Sequence, residues 1–138
     1  MVERLPVFLD ANPGEGFPDP EGYDEEGLLA VGGDLAPARL LDAYRSGIFP
    51  WYDEGYIPMW WSPDPRANFD PGSLHISRSL AKTLRRADFR LTWNTCFERV
   101  MRACGERRAG GTWIIPEMLA AYTELHRLGH AHSLEVWI

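Results

Sequence analysis

The sequence predicts an α+β protein, and three observations carry the prediction. Four stretches place apolar residues at helical spacing, two short segments read as strands, and connections rich in Gly and Pro separate them. Of the 138 residues, 45% are apolar and 25% charged, the composition of a folded globular chain and not of a disordered one. That length suits one domain, or a small domain followed by part of another. No apolar run approaches the ~20 residues that a membrane helix needs. The opening MVERLPVFLD is too acidic, and its apolar stretch too short, for a secretory signal. The expected compartment is therefore the cytoplasm.

The elements follow in order. Residues 10–27 are rich in Pro, Gly and acids and read as a loop. Leu28 to Val31 is a short apolar run stopped by Gly32 and Gly33, a pair that reads as a turn and not as a phosphate cradle. A helix is expected over 37–46, because Pro37 suits a first turn, Leu40, Leu41, Tyr44 and Ile48 recur at helical spacing, and Gly47 supplies a stop. Residues 49–66 hold Trp51, Trp60 and Trp61 between four prolines and should be rigid, aromatic and mostly non-helical. Trp60 and Trp61 are assigned to the core, where large aromatics dominate burial. A second helix is expected over 77–87, with Ile76, Leu80 and Leu84 on one face, followed by a strand over 89–93.

A third helix should cover 95–105, where Thr95 and Glu98 have capping-box spacing and Phe97, Val100, Met101 and Cys104 form the apolar stripe. Residues 105–112 read as a Gly-rich loop. A fourth helix starts at Pro116 and ends before Gly129, burying Met118, Leu119, Tyr122, Leu125 and Leu128. In the closing HSLEVWI, Leu134, Val136 and Ile138 alternate with Ser133, Glu135 and Trp137, which is a strand pattern. A strand needs neighbours for its backbone groups. This one runs to the last residue with few earlier strands to pair it, so sheet partners are expected in sequence beyond Ile138.

Charge and residue type narrow the chemistry. The net charge of −6 hides a split: residues 1–74 carry 14 acids and 4 bases, whereas residues 75–138 carry 6 acids and 10 bases. Screening over ~8 Å keeps an acidic lobe from cancelling a basic face elsewhere, so a polyanionic partner is permitted. On the second helix Arg78, Lys82, Arg85 and Arg86 stand at i, i+4, i+7 and i+8 and project from one side. Such a helix can dock its apolar face on a core and present its cations outward. Four phosphate contacts would give a log–log salt slope of roughly −3 to −4. The bland alternative is an ordinary solvated face.

Trp51 and Trp113 follow turn-forming residues, Pro50 and Gly110–Gly111, and are candidates for the wall of a base-stacking pocket with Tyr44 nearby in sequence. His126 and His130 have the i, i+4 spacing of a metal pair, but Arg127 stands where a zinc-peptidase motif needs Glu, and Gly129 should end the helix first. With His132 they are read as structural; a small metal hydrolase is the competing reading. No metal and no cofactor is expected. Cys96 and Cys104, eight apart, form neither a metal knuckle nor a disulfide framework and read as buried or half-buried helix thiols. No nucleophile elbow, P-loop or dinucleotide fingerprint is present.

The stretches GLLAVGGDLAPARLLDAYRSGIFPW, WWSPDPR, LHISRSLAKTLRR, GTWI and LHRLGHAHSLEVW, in that order, resemble the leucyl/phenylalanyl-tRNA–protein transferases. The likeness covers nearly all of the chain after about residue 16. It implies a small N-terminal domain, here 1–65, followed by the start of an acetyltransferase-like (GNAT) domain, 66–138. It implies a monomeric cytoplasmic aminoacyltransferase that moves Leu or Phe, and more weakly Met, from aminoacyl-tRNA to the N-terminal Arg or Lys of acceptor proteins, marking them for N-end-rule degradation. The family's pocket for the 3′-terminal adenosine falls on Tyr44, Trp51 and Trp113. Its tRNA-gripping cluster falls on Arg78, Lys82, Arg85 and Arg86, with Ala81 where relatives can carry a further base. The reaction implied is ester aminolysis, and the Asp and Gln proposed for it in the family lie C-terminal to this chain, so no catalytic residue is assigned here. The alternative is a non-catalytic tRNA-binding fragment.

Overall fold

A computed structural model describes residues 4–11, 16–23, 26–106 and 111–138. The loop expected over 105–112 lies in part outside the described residues, as do portions of the one expected over 10–27. The class is α+β, with two small sheets and four α-helices among the described residues.

The first sheet has the order β1-β2-β4-β3, from β1 (Val7–Leu9), β2 (Leu28–Gly32), β3 (Phe49–Pro50) and β4 (Met59–Trp61). β1 runs parallel to β2, while β2 and β3 each pair antiparallel with β4. Pro50 has no N–H to donate and is tolerated because β3 is an edge strand. Gly32, at φ +89°, stops the apolar run as expected. It is the last residue of β2, opposite Leu9, and its N–H donates to the Pro58 carbonyl at 2.7 Å. Adjacent strand residues face opposite sides, so Trp60 and Trp61 cannot share a core. Trp60 is fully buried, and its indole N–H donates to the Gly32 carbonyl at 3.0 Å. Trp61, also expected inside, stays half-buried and donates to the Trp51 carbonyl at 2.7 Å.

Helix α1 (Pro37–Arg45) covers this sheet with Leu40 and Ala43, which join Leu9, Leu29, Ala30, Ile48, Trp60 and Leu125 in one core. Burying each Leu or Ile contributes ~1.5–3 kcal/mol. Gly47, at φ +73°, ends α1 in a Schellman turn: its N–H donates to the Tyr44 carbonyl at 3.1 Å, and that of Ile48 to the Ala43 carbonyl at 2.8 Å. Gly129 repeats the device after α4 (Pro116–Arg127), with N–H groups of Gly129 and His130 on the carbonyls of His126 and Leu125. A buried cation went unforeseen. Arg39 donates to the Asp10 carbonyl at 2.9 Å and meets the Asp34 carboxylate at 3.4 Å.

Helix α2 (Arg78–Arg86) is capped by Ser77, whose hydroxyl accepts from the Leu80 N–H at 3.2 Å, and its last-turn arginines face the negative end of the helix dipole. It buries none of its residues, so the expected docking of its apolar face on a core is not seen among the described residues; Ile76, Leu80 and Leu84 remain exposed.

The second sheet pairs β5 (Arg90–Trp93) antiparallel with β6 (Leu134–Trp137), and α3 (Phe97–Gly105) and α4 form the connection between them. Its faces are inverted relative to a simple apolar-inward strand. Glu135 is only 6% exposed, while Leu91, Trp93, Leu134 and Val136 share the open face. Glu135 is inside because it caps α3. Its carboxylate accepts from the Thr95 and Cys96 N–H groups at 3.2 and 3.3 Å, the Ser133 hydroxyl at 2.6 Å and the Thr92 hydroxyl at 2.5 Å. The capping box is thereby overturned. α3 begins at Phe97, so Glu98 falls one position short of the third turn residue and pairs with Arg102 at 2.5 Å instead. Cys96 is half-buried as expected, whereas Cys104 is exposed.

Hydrogen bonds from Ser133 first, then Thr92 and the Cys96 and Thr95 backbone, hold the Glu135 carboxyl down from 4.5 to about 2. A depressed carboxyl contributes stability that is complete above the unfolded value and is lost as pH falls through the folded one. The stability advantage of the native chain over Glu135→Gln should therefore shrink between pH 4.5 and about 2, read by urea unfolding of both.

A Cβ on Gly27, at φ +74°, would sit 2.4 Å from the Ser62 carbonyl oxygen, whereas one on Gly47 meets open space. Gly47→Ala should cost about 1 kcal/mol through conformation alone, and Gly27→Ala clearly more, because backbone must also move. Thermal melting of the two variants checks the order.

Candidate functional site

Three separated segments meet at one surface slot. Tyr44 comes from the last turn of α1, Trp51 from the residue after β3, and Trp113 from the approach to α4. With Phe49, Pro50 and Arg66 they line a cavity of about 320 Å³. Ligand cavities span about 300–1,000 Å³, so this one suits a single base or nucleoside. Tyr44, Trp51 and Trp113 are 46%, 55% and 38% exposed, which leaves ring surface free for stacking.

The backbone around each ring is held. The Trp51 N–H donates to the Met59 carbonyl at 3.0 Å, and the Trp51 carbonyl accepts from the Trp61 indole. Thr112 accepts from the Ile114 N–H at 3.1 Å, and Ile115 beyond it is buried with Tyr52 and Met118. Tyr122 of α4 joins two of the three slot rings. Its hydroxyl is hydrogen-bonded to that of Tyr44, and its ring meets Tyr44 and Trp113 edge-on at 6.4 and 6.3 Å. Burial, then the hydrogen bond with Tyr44, pushes the Tyr122 phenol well above its ordinary value; burial, then Glu117, does the same to Tyr52.

Arg66 was not singled out from sequence. Its guanidinium lies 4.9 Å from the Phe49 ring centre and donates to the Gly47 carbonyl at 2.7 Å, in the Schellman turn that follows Tyr44. The only available signal was its place in WWSPDPR, since a lone arginine after a Pro-rich stretch has no periodicity to place it. Tyr122 was read only as a core position because its spacing matched the apolar stripe.

Arg78, Lys82, Arg85 and Arg86 all sit exposed on α2, and none of them lines the slot. Arg86 pairs with Asp88 at 2.9 Å, but both are exposed, so the pair is weak. A neighbouring cavity of about 510 Å³ shares Phe49 and Trp51 with the slot and adds Glu26 and Asp53. A larger hollow of about 740 Å³ by Ile114, Ile115 and Leu119 includes Arg102, whose guanidinium is already committed to Glu98, and contains none of the expected site residues.

Two of the three candidate histidines, His126 and His132, have structural partners. His126 stacks on Phe97 at 4.2 Å and its Nδ1–H donates to the Ala131 carbonyl at 2.8 Å. His132 stacks on Trp93 and accepts from the Asn94 side-chain amide at 2.9 Å. Among the described residues no group of three or more His, Cys, Asp or Glu side chains is arranged to hold a metal, and no helix is long and apolar enough to cross a membrane.

A family model described as leucyl/phenylalanyl-tRNA protein transferase matches residues 69–138, and one for the N-terminal domain of that protein matches residues 33–64. Among curated relatives, the leucyl/phenylalanyl-tRNA–protein transferase of Edwardsiella ictaluri is 59% identical over 124 residues, which are 88% of this chain and 51% of the relative. That of Magnetococcus marinus is 54% identical over 135 residues, 97% of this chain and 57% of the relative. That of Anaeromyxobacter dehalogenans strain 2CP-C is 56% identical over 137 residues, 96% and 58% respectively. The chain spans about half the length of the curated relatives it matches.

Because the Tyr52 and Tyr122 phenols both lie above the ordinary value of 10.0, an ultraviolet titration should show two late-ionising tyrosines, and Tyr122→Phe should remove one of them. The same variant should lose ~1 kcal/mol of stability with its hydroxyl pair.

Proposed function

This chain belongs to the leucyl/phenylalanyl-tRNA protein transferase family, and from that membership and the slot we propose that it supplies the tRNA-end-binding part of an aminoacyltransferase. The activity is transfer of Leu or Phe, weakly Met, from aminoacyl-tRNA to the N-terminal Arg or Lys of acceptor proteins, by a cytoplasmic monomer that marks them for N-end-rule degradation. The observation that carries the reading is the meeting of Tyr44, Trp51 and Trp113 at one cavity of nucleoside size, half-open to solvent. Stacking of one base on such rings is worth ~1–3 kcal/mol.

On this reading the 3′-terminal adenosine occupies the slot, and Arg78, Lys82, Arg85 and Arg86 meet acceptor-stem phosphates. Those contacts position the RNA without reading its sequence. The α-amine of the acceptor attacks the aminoacyl ester carbonyl, an oxyanion forms, and the terminal ribose oxygen leaves with a proton. A base near the amine and a donor near the oxyanion accelerate this; neither role is assigned to a residue of this chain.

Residues 1–65 form the small N-terminal domain of the proposal, and 66–138 begin an acetyltransferase-like domain. Support for the second comes from the open apolar face of β5 and β6 and the uncovered apolar side of α2, surfaces that a continuing domain covers.

Binding of leucyl-tRNA to this chain should follow a log–log salt slope of roughly −3 to −4. Reversing Arg85 and Arg86 to Glu should flatten that slope. Trp51→Ala and Trp113→Ala should each weaken binding by ~1–3 kcal/mol, and tRNA lacking its terminal adenosine should not feel either change. Binding indifferent to both the terminal adenosine and salt would sink the reading. A transfer assay with leucyl-tRNA and an Arg-initiated peptide separates a transferase from the alternative, a binding fragment without catalysis.

A further inference from the structure

We propose that Arg66 is a phosphate subsite of the slot, gripping the phosphodiester that links the terminal nucleoside to the preceding one. The inference rests on the reading of the slot as the adenosine site and adds to it a residue and a ligand group.

Among the described residues Arg66 is the only charged one lining the slot; the other five are aromatic or Pro. Among the described residues no carboxylate forms an ion pair with it, although arginines 39, 86, 102 and 127 each have an acidic partner. This is notable in a segment where acids outnumber bases 14 to 4. Among the described residues its two contacts, the Gly47 carbonyl and the Phe49 ring face, bring no carboxylate to offset its charge. They also restrict the side chain beforehand, so less rotamer freedom is lost when an anion arrives.

Aromatic rings with one anchored guanidinium suit a nucleotide better than a bare nucleoside. The rings take the base, and a guanidinium offers two parallel N–H groups to phosphate oxygens, a geometry that an ammonium does not reproduce. Arg66 lines the slot yet is exposed, so its guanidinium is open to a phosphate carried by a base stacked on the rings. The competing account is that Arg66 merely ties the Gly47 turn to β3, a role that would affect base and phosphate binding alike.

The test compares adenosine with the dinucleotide cytidylyl-(3′→5′)-adenosine, which adds the phosphodiester, using quenching of tryptophan fluorescence on the 138-residue chain. The native chain should prefer the dinucleotide. Arg66→Gln should lower dinucleotide affinity by roughly tenfold, the loss expected for a charge-assisted hydrogen-bonded contact, and leave adenosine affinity within about twofold. Arg66→Lys should recover only part of the difference, because it restores charge without the fork. An equal loss for both ligands, or no loss for either, overturns the phosphate assignment while leaving the slot reading intact. Failure of the native chain to bind adenosine at all would overturn the slot reading and the subsite with it. Melting temperatures of both variants identify any loss that comes from unfolding.

Discussion

Trp113 reaches Tyr44 and Trp51 only because α4 lies against α1. Leu125 sinks into the core that holds Leu40 and Ala43, and one turn earlier Tyr122 meets the Tyr44 hydroxyl. Residues at i and i+3 share a helix face, so one stripe of α4 both anchors the helix and buttresses the slot. The rings of the slot thus inherit their spacing from an apolar contact that involves none of their own exposed surface.

The second sheet follows a different logic. An apolar-inward alternation would bury Leu134 and Val136, yet Glu135 and Ser133 face inward. Three things offset the cost of burying a carboxylate here: two hydroxyls, two backbone N–H groups, and the positive end of the α3 dipole. Trp137 extends the same face, with its indole N–H on the Thr92 hydroxyl at 2.8 Å and the guanidinium groups of Arg90 and Arg99 within 5.7 and 5.6 Å of its ring. The inner face is therefore a polar network with satisfied partners. The apolar face, Leu91 with Val136 and Trp93 with Leu134, points outward in cross-strand register.

Helices were legible where periodicity and stop signals coincided. Pro37 and Gly47 bracket α1, and Pro116 and Gly129 bracket α4, because a fixed φ and a left-handed turn are local properties of single residues. The first sheet was not legible. Its strands are two to five residues long, too short to alternate, and β1 joins β2 in parallel across a long connection that no local signal announces. The slot was half legible: Trp51 and Trp113 stood out by residue type and flanking turns, Tyr44 only as a nearby aromatic on a helix stripe, and the likeness to a family pointed to the same three. Arg66 and Tyr122 become visible only once segments distant in sequence are brought side by side.

Those two residues resolve what the net charge leaves puzzling. A chain at −6 repels a polyanion at long range, but within a screening length of ~8 Å only local charge matters. In the acid-rich N-terminal half, the cation lining the slot is Arg66, paired with a carbonyl and a ring instead of a carboxylate. The phenol behind the slot is consistent with this. Tyr122, which buttresses the slot, is a neutral hydroxyl at physiological pH, as any tyrosine is, and adds no negative charge beneath the rings. Among the described residues lining the slot the only charge is that of Arg66, while Glu26 and Asp53 line the neighbouring cavity.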